Sequence, residues 1–502
     1  MKRVLLSIIL ACVAFGGYAQ RSRQKQQQEQ IALPEKSFAE QLRDDYTAFY
    51  HSGGIFEKLY LQTDKPYYSA GETLYFSGFL VHATLLTRIS STAFVYAELI
   101  SPEGQLIERI KICATDKQFI GTFILSPRLT SGKYTLRAYT RWMTNFDMGY
   151  FFTKEIFIGN HIDDTISTKV TYRTNDNGTV SAFVRFSDNN ALPIVSTPVK
   201  YRTIIDNRSR SGSARTGKDG TIEIRFKPSE CVNDCMELKI RANSRELSRF
   251  VPMPSFSDDF DVQFCPEGGN LIGNVVQIVA FKAIGTNGKS KEIYGKIYDA
   301  ADGTLVTEIR STHKGMGRFV ICAEKGHSYY AEVSTDDGPT KRFELPMVEP
   351  SGVAMRVIRH ADEHVFTTIA TPDINLNDYA AVVHSRGTVM TIIEDLSRLS
   401  RLQNSNLFDG IAQISIVHRA TRRVVAERLF YVRDNRFAQA AIAPQKSVFE
   451  QRDKVVLTLD IKDSEGKPAA GNFAMSVTDA NTVAIDAASP NIISYMLLSS
   501  DL

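Results

Sequence analysis

Apolar residues at every second position, broken again and again by glycine-containing turn pairs, leave this chain little choice but β-sheet. Leu74 to Leu80, Tyr134 to Tyr139, Thr221 to Phe226 and Val455 to Asp460 are β-branched or aromatic runs, several alternating apolar with polar. Between such runs sit Glu103-Gly104, Asn177-Gly178, Asp219-Gly220, Asn287-Gly288, Asp302-Gly303 and Glu465-Gly466. These pairs predict two-residue hairpin turns, whose central residues need positive φ. Many short strands with so many turn signals imply all-β sandwiches. Helical spacing is confined to two places. Ser37 is placed to cap a helix carrying Phe38, Leu42, Tyr46 and Phe49, over about Phe38 to Tyr50, and Met390, Ile393, Leu396 and Leu399 predict a second, short helix over Val389 to Arg401.

The first residues speak to the compartment. Met1-Lys2-Arg3, the apolar Val4 to Val13 and the small residues of Gly17-Tyr18-Ala19 form a secretory signal, with cleavage expected before Gln20. The apolar run is too short to cross a bilayer, which takes ~20 residues. Ile9-Leu10-Ala11-Cys12 offers an alternative, lipid attachment at Cys12. The expected location is therefore exported, in the periplasm or at the outer-membrane surface, with no transmembrane segment after cleavage. Gln20 to Gln30 is a polar tether with nothing to bury. A formal net charge of +3 over 502 residues, with both signs interspersed, gives no footprint for nucleic acid. Six cysteines occur, and with Cys12 gone the other five are too few for a disulfide framework.

Polar or Pro-rich links at Asn160 to Asp164, Pro252 to Asp259, Leu345 to Gly352 and Arg433 to Phe437 divide the chain. The expected units are a signal (1–19), a tether with helix (20–54), and sandwiches over 55–159, 160–255, 256–347 and 348–434, the last with a short helix. A partial or truncated sandwich over 435–502 follows. Lys65 to Leu74 and Lys446 to Val455 share one logic: a bend, a polar pair and a new strand, as repeated modules should show.

The segment Tyr60 to Thr73 carries a family signature. It resembles the opening of the second macroglobulin domain of the alpha-2-macroglobulin and complement family. The matching residues Thr63, Asp64, Lys65, Pro66, Gly71 and Glu72 are structural: Asp64 caps the bend, Pro66 fixes φ, and Gly71 supplies a turn that a β-carbon would hinder. Gly132 to Tyr139 and Arg141-Trp142 look like later parts of the same domain. Val262 to Leu271, Val279 to Ala283 and His313 to Phe319, with Ile411 to Ile416 and Glu427 to Val432, resemble exported Bacteroidetes-type proteins. Those are tandem macroglobulin modules ending in a plug like that of TonB-dependent receptors. The departures matter. No Gly-Cys-Gly-Glu-Gln thioester and no long bait insert occur, and the sequence stops at Ser499 to Leu502 before any plug, which reads as a short form or a truncation. The resemblance thus implies tandem macroglobulin- or immunoglobulin-like sandwiches without thioester chemistry. Such a scaffold would bind an envelope protein or polysaccharide, possible linkage being to TonB-dependent transport. The alternative is an endopeptidase inhibitor of the alpha-2-macroglobulin type acting without a thioester.

No catalytic residue, metal site or cofactor is expected. His360-Ala361-Asp362-Glu363-His364 matches an inverted zinc-peptidase pattern, but that chemistry needs both imidazoles on one helical face. The flanks Met355 to Ile358 and Val365 to Ile369 are strand-like, so a hairpin turn is expected. Cys231 and Cys235 suit a local disulfide better than a metal, and Cys265 and Cys322 are candidates for a bridge between strands of one module. His384 and Ser385, as strand neighbours, point to opposite faces. Tyr67, Tyr68, Tyr139, Trp142, Phe146 and Tyr150 to Phe152 should be mostly core or intermodule contact, any exposed subset forming a binding patch.

Overall fold

The computed structural model describes residues 36–51, 56–89, 91–115, 118–160, 166–175, 177–205, 208–228, 235–242, 245–253, 259–286, 288–336, 338–434, 437–479, 483 and 489–502. The signal, Cys12 and the tether lie outside them. Residues 46–502 form one compact unit, and the described residues 36–45 belong to another. The amphipathic helix forms over Phe38–His51. Its first turn is held reciprocally, the Ser37 amide donating to the Glu40 carboxylate at 2.8 Å and the Glu40 amide to Ser37 Oγ at 3.3 Å.

From residue 56 onward the fold is β, and four successive stretches repeat one strand order. Setting aside the short strands Tyr67–Ser69, Leu271–Ile272 and Val348–Glu349, the first, second and fifth strands of each stretch form a small sheet, and the fourth, third, sixth and seventh form a larger one. In the first stretch the small sheet is Glu57–Thr63, Thr73–His82 and Phe119–Ile124. Its larger partner is Leu106–Cys113, Phe94–Ile100, Gly132–Tyr139 and Phe152–Gly159, extended by a short parallel strand, Tyr67–Ser69. Period-two burial faces the two sheets together. Leu59, Leu61, Leu74, Phe76, Val95, Ala97, Leu99, Leu136 and Ile158 meet in one core, each 3% exposed or less. Three more cores follow over 166–253, 260–348 and 353–432. Phe186 anchors the second, Phe264, Phe281 and Phe319 the third, and Phe366 the fourth.

Two expectations change. The residues Val389 to Arg401 are not helical: Thr388–Ile393 and Ser400–Gln403 are strands of opposite sheets. Thr388, Val389, Thr391, Ile392 and Ile393 are β-branched, and they suit a pleated strand better than a helix that would freeze their χ1. The three-residue apolar spacing there spans a strand, a loop carrying buried Leu396, and a second strand. The glycine turns also differ from the two-residue type. At Ser101–Gln105, Gly217–Thr221 and Asp463–Lys467 only the glycine takes positive φ (+76° to +81°). Each glycine amide donates back three residues, which defines a type I turn closed by a left-handed glycine.

Candidate functional site

The bend at Thr63 to Thr73 is a closed hydrogen-bonded unit. Asp64 Oδ1 accepts from the Tyr68 hydroxyl at 2.5 Å and the Tyr75 amide at 3.1 Å. Lys65 Nζ binds both oxygens of Glu72 at 3.1 Å and lies 5.0 Å from the Tyr68 ring centroid. Glu72 Oε2 also accepts from the Ser69 amide at 2.7 Å, and Gly71 sits at φ +93°. Lys154 Nζ donates to Thr63 Oγ1 at 2.7 Å, and burial holds its pKa below the usual lysine value. The carboxylates of Asp64 and Glu72 and the ammonium of Lys65 are thus engaged within the bend itself.

The same bend recurs at Lys446, position for position. Lys446 Nζ binds Asp453 seven residues on at 2.6 Å and lies 5.1 Å from the Phe449 ring. Asp453 accepts from the Glu450 amide at 2.9 Å, and Arg452, in the place of Gly71, takes φ +71°. The Asp64 amide to Tyr75 carbonyl bond (3.0 Å) returns as Gln445 to Val456 (3.0 Å). The strands flanking this second bend, Gln439–Pro444 and Leu457–Lys462, pair antiparallel as the first two strands of each sandwich do.

Among the described residues nothing covers this fifth pair. Its register places Ala440 opposite Ile461, Ile442 opposite Leu459 and Pro444 opposite Leu457 on one face. Gln439, Lys462, Asp460 and Thr458 occupy the other. Leu59 and Leu61 on the first strand of the first sandwich are 1% and 0% exposed, whereas Ile442 is 57% and Leu459 46% exposed. Phe473, Met475 and Val477 alternate beyond the pair and are exposed too. Among the described residues this sheet has two strands; the outer edge of Gln439–Pro444 stays unpaired, while that of Leu457–Lys462 is met at its end by residues 468–469, the Ala469 amide donating to the Ile461 carbonyl at 2.9 Å.

The remaining singled-out residues fall as follows. His360 and His364 flank a hairpin turn whose Ala361 has φ +51°. The register pairs His360 with Glu363 and Arg359 with His364, so the two rings leave opposite faces. His364 is buried, its Nδ1 2.9 Å from Asn404 Oδ1, and burial lowers its pKa. Cys265 and Cys322 are free thiols on the outer strands of one sheet, opposite Ala280 and Val276 of the strand between them. Two strand spacings and four residues of rise separate them by ~15 Å, well beyond the ~7 Å Cα limit of a disulfide. The expected bridge therefore does not form. Cys231 lies outside the described residues, so the local pairing with Cys235 is not described. Ser385 Oγ donates to the Ile411 carbonyl at 2.7 Å, away from any nucleophilic role. Of the aromatic cluster, Tyr68, Tyr139 and Phe152 are buried, while Trp142 is 42% exposed. Tyr60, Phe146, Tyr150, Phe151 and Phe152 line a cleft of about 960 Å³, closed on its far side by Pro490, Tyr495 and Ser500.

Sequence reading missed the buried charges, because their partners are remote in the chain. Glu98 is fully buried and receives Arg109 at 2.6 Å, Arg137 at 2.5 Å and the Tyr139 hydroxyl at 2.8 Å. Burial pushes its pKa up, but the bonds from Tyr139, Arg137 and Arg109 outweigh that and leave it below the ordinary carboxylate value. Glu57, also buried, accepts from the hydroxyls of Thr92 and Thr140.

Strand order and cores define a tandem array of seven-stranded β-sandwiches followed by a strand pair that is uncovered among the described residues. No known family profile matches the chain, and no curated protein does. Among solved structures it is similar to native Escherichia coli alpha-2-macroglobulin (12% identity, TM-score 0.33), over 82% of this chain and 32% of that one. Methylamine-reacted Salmonella alpha-2-macroglobulin gives 12% identity and TM-score 0.30 over 82% and 32%. The Escherichia coli adhesin FdeC gives 9% and 0.23 over 58% and 97%. The chain spans about a third of the length of the macroglobulin structures it matches.

Proposed function

We propose that this chain is an exported, non-enzymatic β-sandwich scaffold that binds a protein partner at the cell envelope through the strand pair Gln439–Pro444 and Leu457–Lys462. The observation that carries the reading is the apolar face of that pair, left open where four preceding sandwiches cover theirs. The same strand order tells what the partner must supply: an apolar-faced strand or sheet, adding by backbone pairing at the free edge. Each Leu or Ile buried would contribute about 1.5–3 kcal/mol. Export is supported by the signal-like Met1 to Ala19. A partner in TonB-dependent outer-membrane transport is what the Val262 to Leu271 resemblance implies.

The test compares capture from an envelope fraction by the native chain and by a double variant, Ile442→Asp with Leu459→Asp. A control variant, Thr458→Asp, changes the opposite face. The expected result is one protein retained by the native chain and the control but lost by the double variant, its affinity falling about 10–100-fold. Equal capture by all three, or none by any, overturns the proposal. A concentration-dependent dimer of the native chain, absent in the double variant, would instead make a second copy the occupant and refute the envelope partner.

A further inference from the structure

The residues 489–502 are bound by the first and fourth sandwiches much as a peptide ligand is bound by a receptor. Asn491 and Ser494 cap a short helical turn reciprocally, at 2.9 and 3.0 Å. The Tyr495 ring then sits 5.5 Å from Tyr60 and 5.4 Å from Phe152, the latter edge-on. Met496 enters the first core itself. Leu497, 5% exposed, passes over Gly410 of the fourth sandwich. A β-carbon at Gly410 would stand 2.9 Å from the Leu497 carbonyl oxygen, and φ there is +111°, so glycine is what allows this approach. Lys58, 5% exposed, donates to the Met496 carbonyl at 3.2 Å and forms an ion pair with Asp501. Beside it Arg386 ties the two sandwiches directly, giving Nε to the Thr84 carbonyl and Nη1 to the Asp409 carbonyl, both at 2.9 Å.

Three features mark this as recognition more than packing. The groove's aromatic floor and its Arg386 bridge come from residues of the sandwiches and not from the segment. Its single buried ammonium specifies an acid, because a buried ion pair adds little net stability but penalises an unmatched partner heavily. The resident fit is also incomplete. Ser500 Oγ and Asp501 Oδ2 are buried with no hydrogen-bond partner, and the open cleft of about 960 Å³ runs alongside.

We propose that the groove formed by Lys58, Tyr60, Phe152 and Gly410 is an exchangeable docking site for a short helical peptide. Its ligand carries an aromatic-Met-Leu turn followed by an acidic residue, and residues 489–502 are the resident occupant. Displacing them frees the junction between the first and fourth sandwiches for a partner that presents the same pattern.

A fluorescently labelled peptide of residues 489–502 serves as the probe. Tethering gives the resident segment an effective concentration on the order of millimolar, so the unmodified chain should bind micromolar peptide weakly. The full chain carrying Tyr495→Ala and Asp501→Asn should bind it at least about tenfold more tightly. Peptide with either substitution should not bind that chain. Hydrogen exchange on the unmodified protein guards against a misfolded variant. Amides of 494–499 should exchange at least about tenfold faster than those of Thr73–His82, opening as a separate unit. Equal peptide binding by both chains, or exchange of the segment in step with the first core, overturns the proposal.

Discussion

Replacing Glu98 with alanine is expected to cost the first sandwich about 3 kcal/mol, near the lower end for breaking a buried ion pair. The carboxylate is fully buried on the central strand Phe94–Ile100, and it gathers Arg109, Arg137 and Tyr139 from the two neighbouring strands. Removing it strands the Tyr139 hydroxyl in the interior, while the half-exposed Arg109 regains water and softens the loss. Hydrogen exchange of the amides in Phe94–Ile100 and Gly132–Tyr139 reads this local stability. A fall below about 0.5 kcal/mol would show that the arginines simply resolvate. The pH profile provides a second reading. The folded pKa of Glu98 lies below its ordinary value. Its contribution is therefore complete above the unfolded carboxylate value of ~4.3 and is lost as pH falls through the folded one. The native first sandwich should lose stability more steeply below that point than the Glu98→Ala variant.

What the sequence disclosed, and what it hid, follows from the range of the interactions. The Lys65 and Lys446 bends were legible because each closes within eight residues through local bonds, Lys65 to Glu72 and Lys446 to Asp453. The hairpin at His360 to His364 was legible from its β-branched flanks. The three-residue spacing of Met390, Ile393, Leu396 and Leu399 misled, since it fits a helix or a strand–loop–strand passage, and only pairing with Tyr379–Ser385 decides. Nothing local in the sequence marks Glu98, Glu57 or Lys58 as buried, because their partners are remote; Lys58 meets Asp501 443 residues away. Cys265 and Cys322 looked bridgeable because sequence does not show register. The uncovered face of the fifth strand pair is likewise a tertiary fact. Its apolar alternation reads the same as that of the covered pairs, and only the exposure of Ile442 and Leu459 sets it apart.

Glu267→Ala should loosen the joint between the third and fourth sandwiches by about 1–3 kcal/mol, chiefly because the buried Val357 amide loses its acceptor, the partly exposed Arg428 regaining water. Glu267 follows the Phe260–Pro266 strand of the third sandwich; its Oε1 accepts from the Val357 amide at 3.1 Å and forms an ion pair with Arg428, whose Nε stands 3.1 Å away without donating to it. Val357 lies on Val353–His360, the outer strand of the fourth sandwich's small sheet, so the carboxylate satisfies an edge amide from outside the sheet. The turn that delivers it needs Gly268 at φ +99°, where a β-carbon would stand 3.3 Å from the Met355 amide, and the Gly268 carbonyl accepts from the Glu427 amide at 3.1 Å. Glu267→Gln keeps an acceptor for Val357 but loses the charge, so it should fall between native and alanine. A double-mutant cycle with Arg428→Ala separates the two contributions. Coupling of about 1–3 kcal/mol between Glu267 and Arg428 is expected, together with faster exchange at the Val357 amide in the alanine variant alone. Additive effects with unchanged Val357 exchange would mean that apolar contact, not this carboxylate, holds the joint.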